Sequence, residues 1–152
     1  MHWDTQHDWA DLTELSRQLL QLRSQHPMLR RTSYRHGEPL LDTSGGATGR
    51  KNLAWFSGHG EMVPEDWHDG TRRTLGVYLA EDDPGRHQDA AYLIWFHGGA
   101  DPAQVRLPEG DWAQTYTVVA HTGAADELPG EKICAGTLLT LPGRTVVVLQ
   151  VD

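Results

Sequence analysis

The chain has 152 residues, 38% hydrophobic and 22% charged, enough to bury roughly two thirds of the unfolded surface in one core and unlike a disordered segment. Its formal net charge is -8 and its eleven Arg and two Lys are scattered, so the basic patch that nucleic acid or anionic lipid requires is missing. The single cysteine, Cys134, excludes an internal disulfide, and with no Cys-x-x-Cys pair or Cys/His cluster in the sequence, structural zinc has no support.

The longest apolar runs, 90–96 and 145–149, fall short of the about 18 residues a membrane span needs. The start of the chain is polar and acidic, with no signal-peptide pattern. A soluble, cytoplasmic protein in a reducing compartment is the expectation.

In chain order, the first element is a helix over 8–25, where Leu12, Leu15, Leu19 and Leu22 recur at the three-and-four spacing that gathers them on one stripe. Asp8 or Asp11 can cap its start. Pro27 ends it, because proline disfavours helical geometry at His26 and lacks the N–H that continuation would need.

The segment "SGGATG" (44–49) follows and reads as a flexible loop. It lacks the Gly-Lys-Ser/Thr ending of a phosphate-binding loop. Then come seven runs rich in β-branched and aromatic residues, "NLAWFS", "TLGVYLA", "AAYLIWFH", "AQVRL", "WAQTYTVVA", "GTLLTL" and "RTVVVLQV", separated by turn residues. Strands in succession without interleaved helical periodicity predict a mainly β fold, an antiparallel sandwich preceded by one amphipathic helix. "LPGR" (141–144) predicts a type II turn and a hairpin of the last two strands.

Two strands are apolar on both faces. In "AYLIWF" the alternating sets are Ala91, Leu93, Trp95 and Tyr92, Ile94, Phe96, and "TVVVLQV" repeats the pattern. A sandwich strand normally shows one face to water, so something covers this sheet. Either the helix alone caps it, or the helix is the end of a preceding domain and the chain is a piece of a longer one.

Catalytic signatures are scarce. No Gly-x-Ser-x-Gly, Gly-x-Gly-x-x-Gly or His-Glu-x-x-His occurs, and the nine histidines include no helical pair that would converge on one ion. The acid-rich "GEMVPEDWHD" (60–69) holds Glu61, Glu65, Asp66 and Asp69. Hydrolysis of a glycoside would need two of these on opposite sides of one bond and one of them desolvated, and His68 beside Asp66 and Asp69 is the best metal candidate. The simpler reading of both is a solvated acidic connection.

Four segments carry a family resemblance: "LLQLRSQHPMLRR" (19–31), "KNLAWFSGHGEMVPEDWHD" (51–69), "RTLGVYLAED" (73–82) and "LPGRTVVVL" (141–149). Together they resemble the C-terminal part of bacterial isoamylase-type glycogen debranching enzymes, in the α-amylase clan of glycoside hydrolases. The family's "GEMxxxDW" pattern matches Gly60, Glu61, Met62, Asp66 and Trp67, while His97, Gly98 and Gly99 depart from the Asn-Ala-His usual in relatives.

The resemblance implies that 1–31 is the terminal helix of an absent (β/α)8 barrel and 32–152 a C-terminal antiparallel β-sandwich of the α-amylase C-terminal-domain type. It implies a parent that hydrolyses α-1,6 branch linkages in glycogen or limit dextrin. No position matches the family's catalytic motifs, so the fragment alone is expected to be inactive, with no catalytic, cofactor-binding or metal residue of its own. Its partners would be the catalytic barrel, met through Leu12, Leu15, Leu19, Leu22 and Trp95, and glycogen or maltooligosaccharide. A stand-alone α-glucan-binding module is the alternative, with Trp67 and Trp55 as glucan contacts and Trp95 and Trp112 as further candidates. An independent small hydrolase using Glu65 or Asp66 is a third reading.

Overall fold

The computed structural model describes residues 9–42, 44–81, 91–123 and 129–152. The chain divides into two units, Met1–Ser33 and Tyr34–Asp152.

In the first unit helix α1 spans Ala10–Gln25. Trp9 precedes it without a side-chain cap. Asp11 lies inside the first turn, where its charge favours the helix dipole, and Asp8 is outside the described residues. Helix geometry stops at His26, which is extended, and Pro27 opens a short 3-10 turn, Pro27–Arg30. The proline thus ends the helix as expected. No residue of α1 is buried, and Leu12 is 52% exposed.

Among the described residues the second unit has eleven strands: β1 (Pro39–Leu41), β2 (Ala47–Lys51), β3 (Leu53–Ser57), β4 (Gly60–Glu61), β5 (Thr74–Leu79), β6 (Tyr92–His97), β7 (Ala103–Arg106), β8 (Thr115–His121), β9 (Lys132–Cys134), β10 (Leu138–Leu141) and β11 (Thr145–Val151). Seven of them form one sheet in the order β4-β3-β5-β6-β11-β8-β9. β7 pairs with β10, β1 pairs with β2, and all pairings are antiparallel. The mainly β, antiparallel fold expected from the sequence is what forms.

Register explains the two-faced strands, since β6 is central, with β5 and β11 on its flanks. One row across the sheet is Phe56, Gly76, Trp95 and Val147, and the next same-facing row is Ala54, Tyr78, Leu93 and Leu149. These rows share one hydrophobic core with Val105 of β7, Leu107, and Leu139 and Leu141 of β10. The β7–β10 ribbon is therefore the second layer. Burying such side chains stabilises by about 1.5–3 kcal/mol each relative to exposure.

The opposite face alternates with the core face and carries two apolar rows. Trp55, Val77, Ile94 and Val148 form one, and Leu75, Phe96 and Val146 the other. Val77 and Val148 are buried, Trp55, Leu75, Ile94 and Val146 half-buried, and Phe96 is 43% exposed.

Two sequence expectations need correction. β10 and β11 do not form a hairpin, because β10 pairs with β7 while β11 inserts between β6 and β8. "LPGR" is a crossing between layers, and positive φ falls on Arg144 (57°), not on Gly143 as a type II turn requires. Nor is 44–49 a flexible loop throughout. Ala47–Lys51 is β2, and Asp42 shapes the turn before it, its Oδ1 accepting the N–H groups of Ser44 and Gly46 at 2.8 Å each.

Gly143 has a different use. A Cβ there would lie 2.0 Å from the carbonyl oxygen of Ala100, while the neighbouring Arg144 N–H donates to Gly99 O at 2.9 Å. The layer crossing threads against the 99–100 backbone with no room for a side chain. Gly143→Ala is expected to cost about 1–3 kcal/mol by overpacking, read as a lower urea midpoint with an unchanged m-value.

Candidate functional site

The acid-rich segment is an ordered connection from β3 to β5. β4 pairs back on β3, and Met62 N–H donates to Trp55 O at 2.8 Å. Extended Val63 precedes Pro64, which opens a 3-10 turn, Pro64–His68, where its missing N–H costs nothing.

Asp66 ties this turn together. Its Oδ2 accepts the Val63 N–H at 2.9 Å and its Oδ1 meets the Arg72 guanidinium at 2.6 Å, while Arg72 Nε also donates to Asp66 O at 3.3 Å. Asp69 Oδ1 accepts both the N–H (2.9 Å) and the hydroxyl (2.6 Å) of Thr71. These bonds, the hydroxyl's first, hold the Asp69 carboxyl below the usual aspartate range. Glu61 pairs with Lys51 across the edge of the sheet, and Glu65 and His68 are exposed.

Asp66 and Asp69 are thus occupied with backbone donors and Arg72, Glu61 with Lys51, and Glu65 stands exposed. No group of three or more His, Cys, Asp or Glu residues able to hold a metal exists among the described residues. Asp66→Ala is expected to lose about 1–2 kcal/mol of stability through the orphaned Val63 N–H and the freed Arg72, whereas Glu65→Ala stays within about 0.5 kcal/mol of the parent; thermal unfolding of the two variants checks this.

The tryptophans separate clearly. Trp67 is 53% exposed and stands edge-on to Trp55, ring centroids 5.5 Å apart at 80°. Trp95, expected at a barrel interface, lies wholly inside the domain's own core. It faces inward because alternation in β6 puts Leu93 and Trp95 on one side and Ile94 and Phe96 on the other. Residues available to a partner on this strand are Ile94 and Phe96. Leu12 and Leu19 of α1 are exposed, and Leu15 and Leu22 half-buried.

The turn after β6 is built around its own residues. Buried His97 is held by Thr74 Oγ1 at Nδ1 and by the Asp101 carbonyl at Nε2, both at 2.8 Å. A Cβ on Gly99 would come within 2.7 Å of that imidazole, so His97 packing requires a glycine at 99.

A cavity of about 440 Å³ lies elsewhere in the second unit, lined by Arg50, Ala91, Gly110, Asp111, Trp112, Ala113, Gln114, Val151 and Asp152. Trp112 is half-buried and packs edge-to-face on Phe56 and Tyr78, both centroids 5.0 Å away. Burial raises the Tyr78 phenol above its ordinary pKa, opposed by the Arg50 charge. Asp152 accepts from Thr117 Oγ1 at 2.6 Å and pairs with Lys132 at 3.1 Å; the Thr117 bond chiefly lowers its pKa, so its carboxylate stays ionised.

This cavity was not legible in the sequence. Its walls come from β2, the 110–114 loop and the end of β11, and only Trp112 carried a local signal.

Three comparisons bear on the chain. No protein-family model matches it. The glycogen operon protein GlgX homolog of Mycobacterium bovis is 28% identical over 158 aligned residues, covering 99% of this chain and 21% of that protein, and the GlgX homolog of Mycobacterium tuberculosis H37Rv matches to the same extent. A crystal structure of pullulanase complexed with maltotetraose from Anoxybacillus sp. LM18-11 superposes with a TM-score of 0.57 at 13% identity, over 99% of this chain and 17% of that one. The fold is thus one found within a pullulanase. The chain is similar to GlgX homologs over nearly its whole length and spans about a fifth of the length of those relatives. No helix among the described residues is long and apolar enough to cross a membrane.

Proposed function

We propose that this chain is the non-catalytic C-terminal domain of a cytoplasmic glycogen debranching enzyme whose missing part hydrolyses α-1,6 branch linkages in glycogen or limit dextrin. Residues 1–31 are the last helix of its (β/α)8 barrel, and 32–152 the sandwich that packs on that barrel and stabilises it. One observation carries the reading: the match runs through 99% of this chain yet through only 21% of the GlgX homologs.

The physical features agree with a part that has lost its neighbour. α1 buries none of its leucines, and the outer sheet face presents Leu75, Ile94, Phe96 and Val146 at least partly to solvent. Barrel enzymes place their reacting groups at the C-terminal ends of the barrel strands, and here Asp66 and Asp69 accept backbone N–H groups while Glu61 pairs with Lys51. The 152-residue chain alone is expected to leave limit dextrin untouched, to bind a hydrophobic dye and to self-associate. A monodisperse, dye-silent monomer would overturn the packing role.

A second reading, a stand-alone α-glucan-binding module, is favoured by the exposed indole of Trp67, steadied by Trp55. It predicts that maltooligosaccharide changes tryptophan emission and that Trp67→Ala removes the change.

A further inference from the structure

The lining of the cavity at Trp112 has a definite chemistry. The half-buried indole of Trp112 is fixed by its contacts with Phe56 and Tyr78 and supplies a flat apolar wall. Around it stand a guanidinium (Arg50), two carboxylates (Asp111, Asp152) and an amide (Gln114). Their formal charge sums to +1 − 2 = −1, which disfavours an anion, and two carboxylates are too few for a metal centre. A neutral ligand with an apolar face and many hydroxyls matches an aromatic wall ringed by donors and acceptors.

The backbone of the walls is fixed, and the Asp111 and Gln114 side chains stand exposed at the rim. Asp111 lies so close to Gly49 (φ 79°) that a Cβ at 49 would sit 2.3 Å from Asp111 Oδ2. Gln114 O accepts the Ala135 N–H at 2.9 Å, Val151 N–H donates to Ala91 O at 2.8 Å, and Asp152 N–H donates to Thr115 O at 2.9 Å. A cavity of about 440 Å³ is within the range of small-molecule sites, about 300–1,000 Å³.

We propose that this cavity is a non-catalytic binding site for a short stretch of α-glucan, one sugar ring lying on Trp112 with its hydroxyls bonded to Arg50, Asp111 and Gln114. The cavity's chemistry selects a polyhydroxy ligand, and the choice of α-glucan rests on the function proposed above. In the parent enzyme such a site would hold a branched polymer near the barrel without cleaving it.

Titration calorimetry of the 152-residue chain with maltoheptaose tests this, with cellohexaose as the other arm; no barrel is present to contribute binding. The expected result is saturable binding of maltoheptaose alone, weakened about tenfold by Asp111→Asn or Gln114→Ala, the loss of roughly one good hydrogen bond. Arg50→Gln is the second variant should either lose its native circular dichroism. No binding at millimolar maltoheptaose overturns the site. So does binding that survives these variants but vanishes in Trp67→Ala, which places the sugar elsewhere. Binding of cellohexaose but not maltoheptaose overturns the α-glucan assignment. The domain reading is judged separately, by the size of the native protein, so failure of one is distinguishable from failure of the other.

Discussion

Trp95→Ala is expected to lower the unfolding free energy of the second unit by about 3–5 kcal/mol, the largest loss available to a single core substitution here. The indole is 0% exposed in the middle of the sheet and its ring overlies Gly76 on β5, where a Cβ would come within 2.8 Å of it. Gly76 faces Trp95 in the register and leaves the space the ring fills. Alanine would empty that space with no neighbour able to collapse into it, and a domain of ordinary stability, about 5–15 kcal/mol, has little left after such a loss. Trp95→Phe is expected to be milder, because it keeps most of the ring and removes an indole N–H that has no hydrogen-bond partner among the described residues. Urea unfolding of the two variants checks both statements. A loss below about 1 kcal/mol for Trp95→Ala would mean that the ring belongs to a surface.

The second large effect belongs to the opposite face. If the domain packs on a barrel as proposed, Phe96→Asp in the full-length parent is expected to separate the two, seen as aggregation or loss of the parent's activity. Burying an unpaired carboxylate in an apolar interface costs several kcal/mol. In the 152-residue chain the same substitution sits at a residue 43% exposed and is expected to change stability by no more than about 0.5 kcal/mol, while dye binding and self-association fall. Under the proposed packing, the two substitutions are expected to separate core from interface: Trp95→Ala lowers the stability of the isolated domain, whereas Phe96→Asp leaves it nearly unchanged.

The sequence was most legible where backbone and side chain agree on a period. All seven apolar runs became strands, and the leucine stripe with Pro27 located α1 and its end. The two-sided pattern of β6 and β11 was visible in the sequence, and both strands are central in the sheet with outer rows that remain apolar.

Pairing was less legible, because it is decided by residues far apart. Pro142 and Gly143 look like a hairpin turn locally, yet β11 finds better partners in β6 and β8, and Gly143 is required by the Ala100 carbonyl. β2, "ATGRK", and β9, "KIC", lacked the apolar alternation that announces a strand and form by pairing with β1 and β8. The acid-rich segment was read correctly as a connection, but its anchor was not visible: Asp66 reaches Arg72 six residues on only because the turn at 64–68 bends the chain back. Alternation puts Trp95 on the side of Leu93, yet which side is the core depends on β7 and β10.

The account stands or falls on the size of the native product in source cells, detected with an antibody raised against this chain. A single species several times larger than 17.0 kDa is the predicted result, as expected of a domain within a longer chain. A species of about 17 kDa would contradict it, since no barrel would then exist for the domain to support.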